Sequence, residues 1–447
     1  MLRRLFFAAL LTASAAQGAP SAQGRTEWKQ RIGDCRITVR TNCPDARAKV
    51  GDAIDITISV ESPHPGYCRI TAYQDGIKQG KVRCIEFGKT AELSFKASRP
   101  GSVSAVCALL DGDKRPIARP GKRKAFVYFG VIIDPEKLAP GNPIPPEDFD
   151  RFWAQKRAEL DLVPVKATRR EVPLPDREAK KYPDVVCHDV KVDCAGDAPV
   201  SGYLCMPRGA KPKTLPAIVH FHGAGVRSAK PYPTYGQTAI AFDINAHGIE
   251  NGKPESYYNE LYATGRLKDY RLASWGDHRS NYFVGMFVRI MRALDYVKTL
   301  PEWDGKTLVV YGGSQGGAQA IAAAALDDRV TLCVSHVPSL CDLGAGAVAR
   351  RPGGPLPSLP VEKQRDPELI REAAYVDLVF FAGRIKCPLY LAVGLGDNIC
   401  IATSSYIFYN ALPESTFKRI AVWPNLGHTG PHSIQGKSAI RKALKMK

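Results

Sequence analysis

The sequence predicts an α/β protein: a doubly wound, mostly parallel sheet preceded by an all-β sandwich of immunoglobulin-like type. Three observations predict it. Short segments of alternating polarity, separated by turn signals, fill the early part of the chain. Apolar runs interleaved with helical stretches fill the rest. Between them in character, "VVYGGSQGGAQAIAAAAL" from Val309 to Leu326 passes from sheet-preferring to helix-forming residues across a glycine-rich turn.

Taken in order, the chain begins "MLRRLFFAALLTASAAQGAPSAQG", with Arg3 and Arg4, an apolar stretch from Leu5 to about Leu11, and small residues through Ala19. This is the layout of a secretory signal peptide over residues 1–19, so a secreted or periplasmic protein is expected. The apolar run is well short of the roughly 20 residues that span a bilayer. No later segment is long and apolar enough either, and no stable membrane insertion is expected.

Residues 30–133 read as the sandwich. "AIDITISVE" (Ala53 to Glu61), "CRITAYQDG" (Cys68 to Gly76), "AELSFKAS" (Ala91 to Ser98), "SVSAVCALLDG" (Ser102 to Gly112) and "KAFVYFGVII" (Lys124 to Ile133) alternate apolar with polar residues. No cluster of catalytic residue types falls there, so an accessory module is expected, with polysaccharide contact as its candidate binding role. Residues 134–146, rich in proline, read as a stiff linker. The second domain, 147–447, opens with a helix in which Phe149, Phe152, Trp153 and Leu160 share a face. The strands "PAIVHFHG", "TAIAFDINA", "TLVVYGG", "TLCVSHVPS", "PLYLAVGLGD" and "RIAVWPNLGH" follow, with an amphipathic helix carrying Phe283, Phe287, Ile290, Met291, Leu294 and Val297 on one side.

Composition narrows the function classes. The formal charge of +18 suggests attraction to acidic surfaces, but the basic residues are spread along the chain and not gathered with aromatics into a stripe. No nucleic-acid partner is expected. Twelve cysteines suit an exported protein, and Cys35 to Cys43, Cys333 to Cys341 and Cys387 to Cys400 are separations that would permit bridges. No C-x-x-C pair occurs, and His220-x-His222 lacks a third ligand at metal spacing, so neither metal nor cofactor is expected. Gly344-Ala345-Gly346-Ala347-Val348-Ala349 imitates a dinucleotide fingerprint but reads better as a glycine-rich loop.

The chemistry converges on Ser314. Gly312-Gly313-Ser314-Gln315-Gly316 fits the G-x-S-x-G nucleophile elbow of α/β hydrolases, which presents a serine hydroxyl at a sharp strand-to-helix turn. Such a serine needs a base, and the base an orienting acid, in the chain order Ser, Asp or Glu, His. "PLYLAVGLGDN" ends a strand at about Val393 and offers Asp397 in the loop after it, and "RIAVWPNLGHTG" ends another and delivers His428 after Leu426 and Gly427; His432 is the competing base. An Asx turn or helix cap is the competing role for Asp397. Two N–H donors for an oxyanion are expected from Gln315 and Ala224, the latter in "PAIVHFHGAGVRS".

Several stretches together resemble the acetyl xylan esterase / cephalosporin C deacetylase family of α/β hydrolases: "GGSQGGAQA", "HVPSLCDL", "GLGDNICIATSSYIFYNAL", "WPNLGH" and "NYFVGMFVRIMRALDYVKTLPEWDG". The resemblance runs from about Pro146 to the C-terminus. It implies a serine esterase acting on an acetylated carbohydrate such as acetylated xylan or xylo-oligosaccharides, with Ser314, His428 and Asp397 as triad and Gln315 and Ala224 as oxyanion donors. His222, Gly223 and His247 are placed at the substrate. The chain departs from the family at Ala224, where a tyrosine is common, at Asn245-Ala246-His247-Gly248 in place of Arg-Gly-Gln-Gly, and at Thr429, where a glutamate is common. The Ala224 change motivates an alternative, a larger-acyl or aryl esterase or a peptidase on the same frame. An inert glycan-binding protein is the alternative from a different class. The sequence assigns no oligomeric state.

Overall fold

The computed structural model describes residues 24–119 and 123–446, so the signal-like segment 1–19 lies outside the described residues. Two antiparallel sheets form the N-terminal part. One orders Glu27–Ile32, Cys35–Thr41, Ala53–Glu61 and Thr90–Lys96. The other orders Arg47–Ala48, Phe126–Ile133, Gly101–Asp111, Gly66–Gln74 and Ile77–Glu86, its short first strand pairing in parallel. Inward residues alternate as a half-buried strand requires: Ile54, Ile56, Ile58 and Val60 are buried along one strand, and Trp28 meets Phe129 across the sandwich at 4.9 Å between ring centroids.

Two strands escape that pattern for opposite reasons. Ile77–Glu86 is an edge strand exposed or half-exposed along its length, so no apolar period marks it in the sequence. Gly101–Asp111 is buried on both faces because its outer side packs on the C-terminal part, where Ser102 Oγ meets Thr403 Oγ1 at 2.8 Å. The expected linker is likewise pinned down: Gly141 N–H donates to Asp342 Oδ1 at 2.7 Å, and Asn410 Nδ2 donates to the carbonyls of Pro135 and Leu138. It is a clamped strap, not a free spacer.

The C-terminal part is built on nine strands ordered Ala167–Val172, Val185–Val192, Val200–Pro207, Ile240–Ile244, Leu215–Phe221, Trp303–Gly313, Leu332–His336, Leu389–Gly394 and Lys418–Trp423. The first three pairings, among the first four strands, are antiparallel and the remaining five are parallel. Helices cover both faces, which is why the parallel strands read as continuous apolar runs. Helix Phe149–Asp161 buries Phe149, Phe152, Trp153 and Leu160, and Tyr282–Thr299 is capped by Asn281, whose side chain accepts from Phe283 N–H. Burial of each such large apolar side chain contributes roughly 1.5–3 kcal/mol. A single hydrophobic core runs from the sandwich into this sheet.

The cysteine spacings do not correspond to bridges in the structure. All twelve cysteines are free thiols, and none of the three short separations forms a bridge. Cys187 and Cys205 are instead register partners on adjacent antiparallel strands, while Cys333 lies near Cys387 and Cys341 near Cys400. Neighbours in sequence diverge here because strand pairing, not chain proximity, brings sulfurs together.

Candidate active site

Four parallel strands end in loops on one side of the sheet, and each loop supplies a piece of the site. Strand Trp303–Gly313 runs into helix Gln315–Leu326 through Ser314, which adopts φ 58° and ψ −124°. This is a strained conformation for a residue with a Cβ, held by Ser314 N–H donating to His336 O at 2.9 Å and by Ser339 N–H donating to Ser314 O. The flanking glycines are required by contact: a Cβ on Gly312 would strike the carbonyl of Gly316, and one on Gly316 would strike that of Phe221. The helix and two strands thus meet backbone to backbone beneath the serine.

Asp397 follows strand Leu389–Gly394 and His428 follows Lys418–Trp423. His428 Nδ1 lies 2.8 Å from Asp397 Oδ2, and its Nε2 lies 2.9 Å from Ser314 Oγ. Because a carboxylate only accepts, Nδ1 carries the proton and Nε2 presents its lone pair to the serine hydroxyl. Burial alone would lower the pKa of His428, but the Asp397 hydrogen bond and charge, with Cys400 alongside, raise it above the ordinary value. The turn role weighed for Asp397 is also real: Oδ1 accepts from Ile399 and Cys400 N–H at 2.8 and 3.0 Å. One oxygen fixes the loop, and the other orients the imidazole. His432 is elsewhere engaged, with Nδ1 on Gly430 O and its ring 4.8 Å from Trp423.

The loop after Leu215–Phe221 passes directly over the serine. A Cβ on Gly223 would lie 3.3 Å from Gly313 O and 3.6 Å from Ser314 Cβ, and the next residue, Ala224, is exposed. Gln315, first in its helix, has no carbonyl one turn back for its N–H. The hydroxyl thus stands at the N-terminal end of a helix whose dipole favours negative charge, with the Gly223–Ala224 loop beside it.

His222 and His247 brace this loop from within. His222 Nδ1 donates to Gly223 O at 2.7 Å, and its Nε2 accepts from Ala246 N–H at 3.2 Å. His247 Nε2 donates to Gly225 O at 3.1 Å while Nδ1 meets the Tyr282 hydroxyl at 2.5 Å. Each uses both nitrogens in the neutral state, and burial pushes both pKa values down, that of His222 to about 4.

Sequence reasoning missed two groups at the site. The Cys400 thiol lies beside His428 and Ser314, and burial pushes its pKa up. Tyr270, in a turn-rich stretch without periodicity, places its hydroxyl between Gly225 N–H and Gln315 Oε1, each at 3.1 Å. His220 is taken by Asp243, at 2.5 Å from Nδ1, and by the Tyr232 hydroxyl. Asp277, His278 and Glu372 bring three potential ligand atoms within 4.8 Å of one another, but His278 already bonds Glu372 and stacks on Tyr375 at 3.8 Å.

Comparison with known proteins places the chain in a family. Residues 137–445 match the acetyl xylan esterase (AXE1) family. The acetyl esterase Axe7A of Xylanibacter ruminicola is 34% identical over 297 residues, which cover 65% of this chain; the match spans 65% of that relative's own length. An acetyl xylan esterase from Paenibacillus sp. R4 superposes with a TM-score of 0.58 at 25% identity, over 70% of this chain and 98% of that one. Acetyl xylan esterase 1 from Thermoanaerobacterium sp. JW/SL YS485 shares the fold, with a TM-score of 0.56 at 21% identity over 70% of this chain and 97% of that one. The chain therefore belongs to the acetyl xylan esterase (AXE1) family of α/β hydrolases.

Proposed function

We propose that this protein is a serine esterase that removes acetyl groups from carbohydrates, acetylated xylan or its oligosaccharides among them. The observation that carries the reading is the unbroken chain from Asp397 Oδ2 through His428 to Ser314 Oγ, at 2.8 and 2.9 Å. Family membership supports the acetyl and carbohydrate specificity.

In this mechanism His428 Nε2 takes the hydroxyl proton as Ser314 Oγ attacks the acetyl carbonyl carbon. The carbonyl oxygen becomes an oxyanion that accepts from Gln315 and Ala224 N–H. The bond from acyl carbon to sugar oxygen then breaks, the imidazolium returns its proton to that oxygen, and the alcohol leaves an acetylated Ser314. Water, deprotonated by His428, attacks the acyl-enzyme; acetate departs and the serine regains its proton. Asp397 keeps the ring in the tautomer that both halves need.

The test is hydrolysis of an aryl acetate and of acetylated xylan by wild type and Ser314→Ala. A loss on the order of 10⁴-fold or more in kcat is expected, and an alanine variant that keeps more than residual activity overturns the reading. Exposed Ala224 motivates one comparison within the test, acetate against butyrate, feruloyl and amide substrates; a marked preference for a long chain or an amide would displace the deacetylase. The signal-like pattern of residues 1–19 supports export, and N-terminal sequencing of the protein from a secreting host checks it, with a start after Ala19 expected.

A further inference from the structure

The acid and the base are each preceded by a glycine, Gly396 before Asp397 and Gly427 before His428. In both places the open side of the glycine faces the same N-terminal strand, Phe126–Ile133. A Cβ on Gly427 would stand 2.7 Å from Cδ1 and Cε1 of the Tyr128 ring. One on Gly396 would stand 2.6 Å from Tyr128 Cβ and 2.9 Å from Phe129 N. Two residues on, Gly130 crosses against the carbonyl of Leu395 with no room for a side chain, and its N–H donates to Pro424 O at 2.9 Å.

Alternation along this strand explains the arrangement. Val127 and Phe129 point into the sandwich core and are fully buried, so Tyr128 points the other way, onto the two loops. It remains half-buried there. The loops also interlock with each other: Gly396 N–H donates to Leu426 O at 3.1 Å, and a Cβ on Gly394 would meet the carbonyls of Leu426 and Gly427. Strand, acid loop and base loop form one stack in which the Tyr128 ring lies on the Cα of the residue before His428. A second contact from the sandwich closes the far end, where Asp75 accepts from Arg99 and from the Thr403 hydroxyl in the helix that follows the acid loop.

We propose that the β-rich N-terminal region completes the active site, with Tyr128 as a positioning residue that sets where the base loop, and with it His428, stands relative to Ser314. The inference rests on the triad reading above. A mechanism built on two hydrogen bonds tolerates about 0.5 Å of misplacement, and a 1 Å error costs about 100-fold in rate. The ring on Gly427 is the contact through which the sandwich controls that placement.

The experiment uses the full chain with Gly427→Ala, Tyr128→Ala, the double variant and Tyr128→Phe, measuring kcat, KM, thermal midpoint and the pH profile on an aryl acetate, with Ser314→Ala in parallel. In Gly427→Ala the new methyl strikes the ring and displaces the base loop, so kcat falls about 100-fold while KM changes less than about threefold. Adding Tyr128→Ala vacates the space the methyl needs, and kcat recovers by about tenfold or more. Tyr128→Phe, which keeps the ring in place, stays within about threefold of wild type, whereas Tyr128→Ala alone lowers kcat with its thermal midpoint little changed. A double variant no better than Gly427→Ala overturns the inference; if Gly427→Ala does not fold, a Tyr128→Ala protein with unaltered kcat and pH profile overturns it equally. Undiminished turnover by Ser314→Ala would remove the triad reading itself and this inference with it, whereas uncoupled variants beside an inactive Ser314→Ala remove only the inference.

Discussion

The hydroxyl of Tyr270 donates to the side-chain Oε1 of Gln315 at 3.1 Å. The phenolic oxygen of Tyr270 in turn accepts from Gly225 N–H, also at 3.1 Å, so a single buried phenol ties the residue after the elbow serine to the loop that carries Ala224. The two backbone donors proposed for the oxyanion thus have their separation set by one side chain.

Tyr270→Phe removes that tie while leaving the ring against His247, 4.6 Å away. Deleting an oxyanion donor outright costs on the order of 10²–10³ in kcat, and loosening two donors that both remain should cost less, about tenfold. Steady-state kinetics on an aryl acetate should show this in kcat with KM nearly unchanged. A KM effect alone would mean that Tyr270 contacts substrate and does not position the donors.

Asp397→Asn tests the orientation and the charge of the acid together. Burial works to lower the pKa of His428, and Asp397 is the main group raising it. Removing the charge leaves burial opposed only by the lesser influence of Cys400, so the pKa falls. Since the base must be neutral, the acid limb of the kcat/KM profile shifts to lower pH, on top of a rate loss on the order of 10⁴ from the wrong tautomer. A limb that stays in place, or moves up, would separate Asp397 from the base.

Much of this site was legible in the sequence because catalytic loops follow strands, and strands announce themselves. Ser314, Asp397 and His428 each stand just beyond an apolar run, in the order that the fold requires. The sandwich strands were legible wherever one face is wet: "AIDITISVE" alternates and Ala53–Glu61 is the strand, whereas Ile77–Glu86 has no buried face and left no period. What the sequence could not carry is contact across long separations. Tyr128 and Gly427 are distant in the chain, and alternation in "KAFVYFGVII" says which residues share a face, not what the other face meets. The bracing contacts of His222 and His247 were hidden for the same reason, since they depend on where two ring nitrogens point.

Acid should weaken the fold in a defined window. His222 and His336 are pushed down to about 4 and His247 well below its ordinary value, in each case chiefly by burial. The unfolded chain binds a proton at each near pH 6.5 and the folded chain does not, so stability is full above about 6.5 and is lost as pH falls through that window towards 4, by up to about 1.4 kcal/mol per histidine per pH unit. Asp377, raised to about 7 by burial and by Asp342, acts in the opposite sense, because the folded state then holds the extra proton. His188 is likewise lowered by burial and Asp342 raised by it, so four histidines stand against two carboxyls and the net is a loss. Urea unfolding at pH 7.0, 5.5 and 4.5 should show a falling midpoint, and a flat one would mean that these histidines are not held neutral.

Arg292 offers a separate test, of how the first helix of the C-terminal part is held. The residue is 1% exposed and its guanidinium has no carboxylate partner among the described residues; one nitrogen donates instead to the carbonyls of Leu160 and Val163, at 2.6 and 2.7 Å. These carbonyls belong to the last turn of Phe149–Asp161 and the chain just past it, where a helix leaves acceptors unsatisfied and its dipole is negative. The cation answers both needs, and it fixes the helix whose Trp153 Nε1 donates to Tyr375 O at 3.0 Å. Arg292→Met keeps the length of the side chain but removes the side-chain donor from Val163 O and one of the donors from Leu160 O, which also accepts from Val163 N–H, so unfolding free energy should fall by about 1–3 kcal/mol. Because this helix does not supply the triad or the loops beside it, kcat on an aryl acetate at low temperature should remain within about twofold while the denaturation midpoint drops. Equal losses in both would mean that the helix bears on the site directly, and no loss in either would mean that water replaces the guanidinium at both carbonyls.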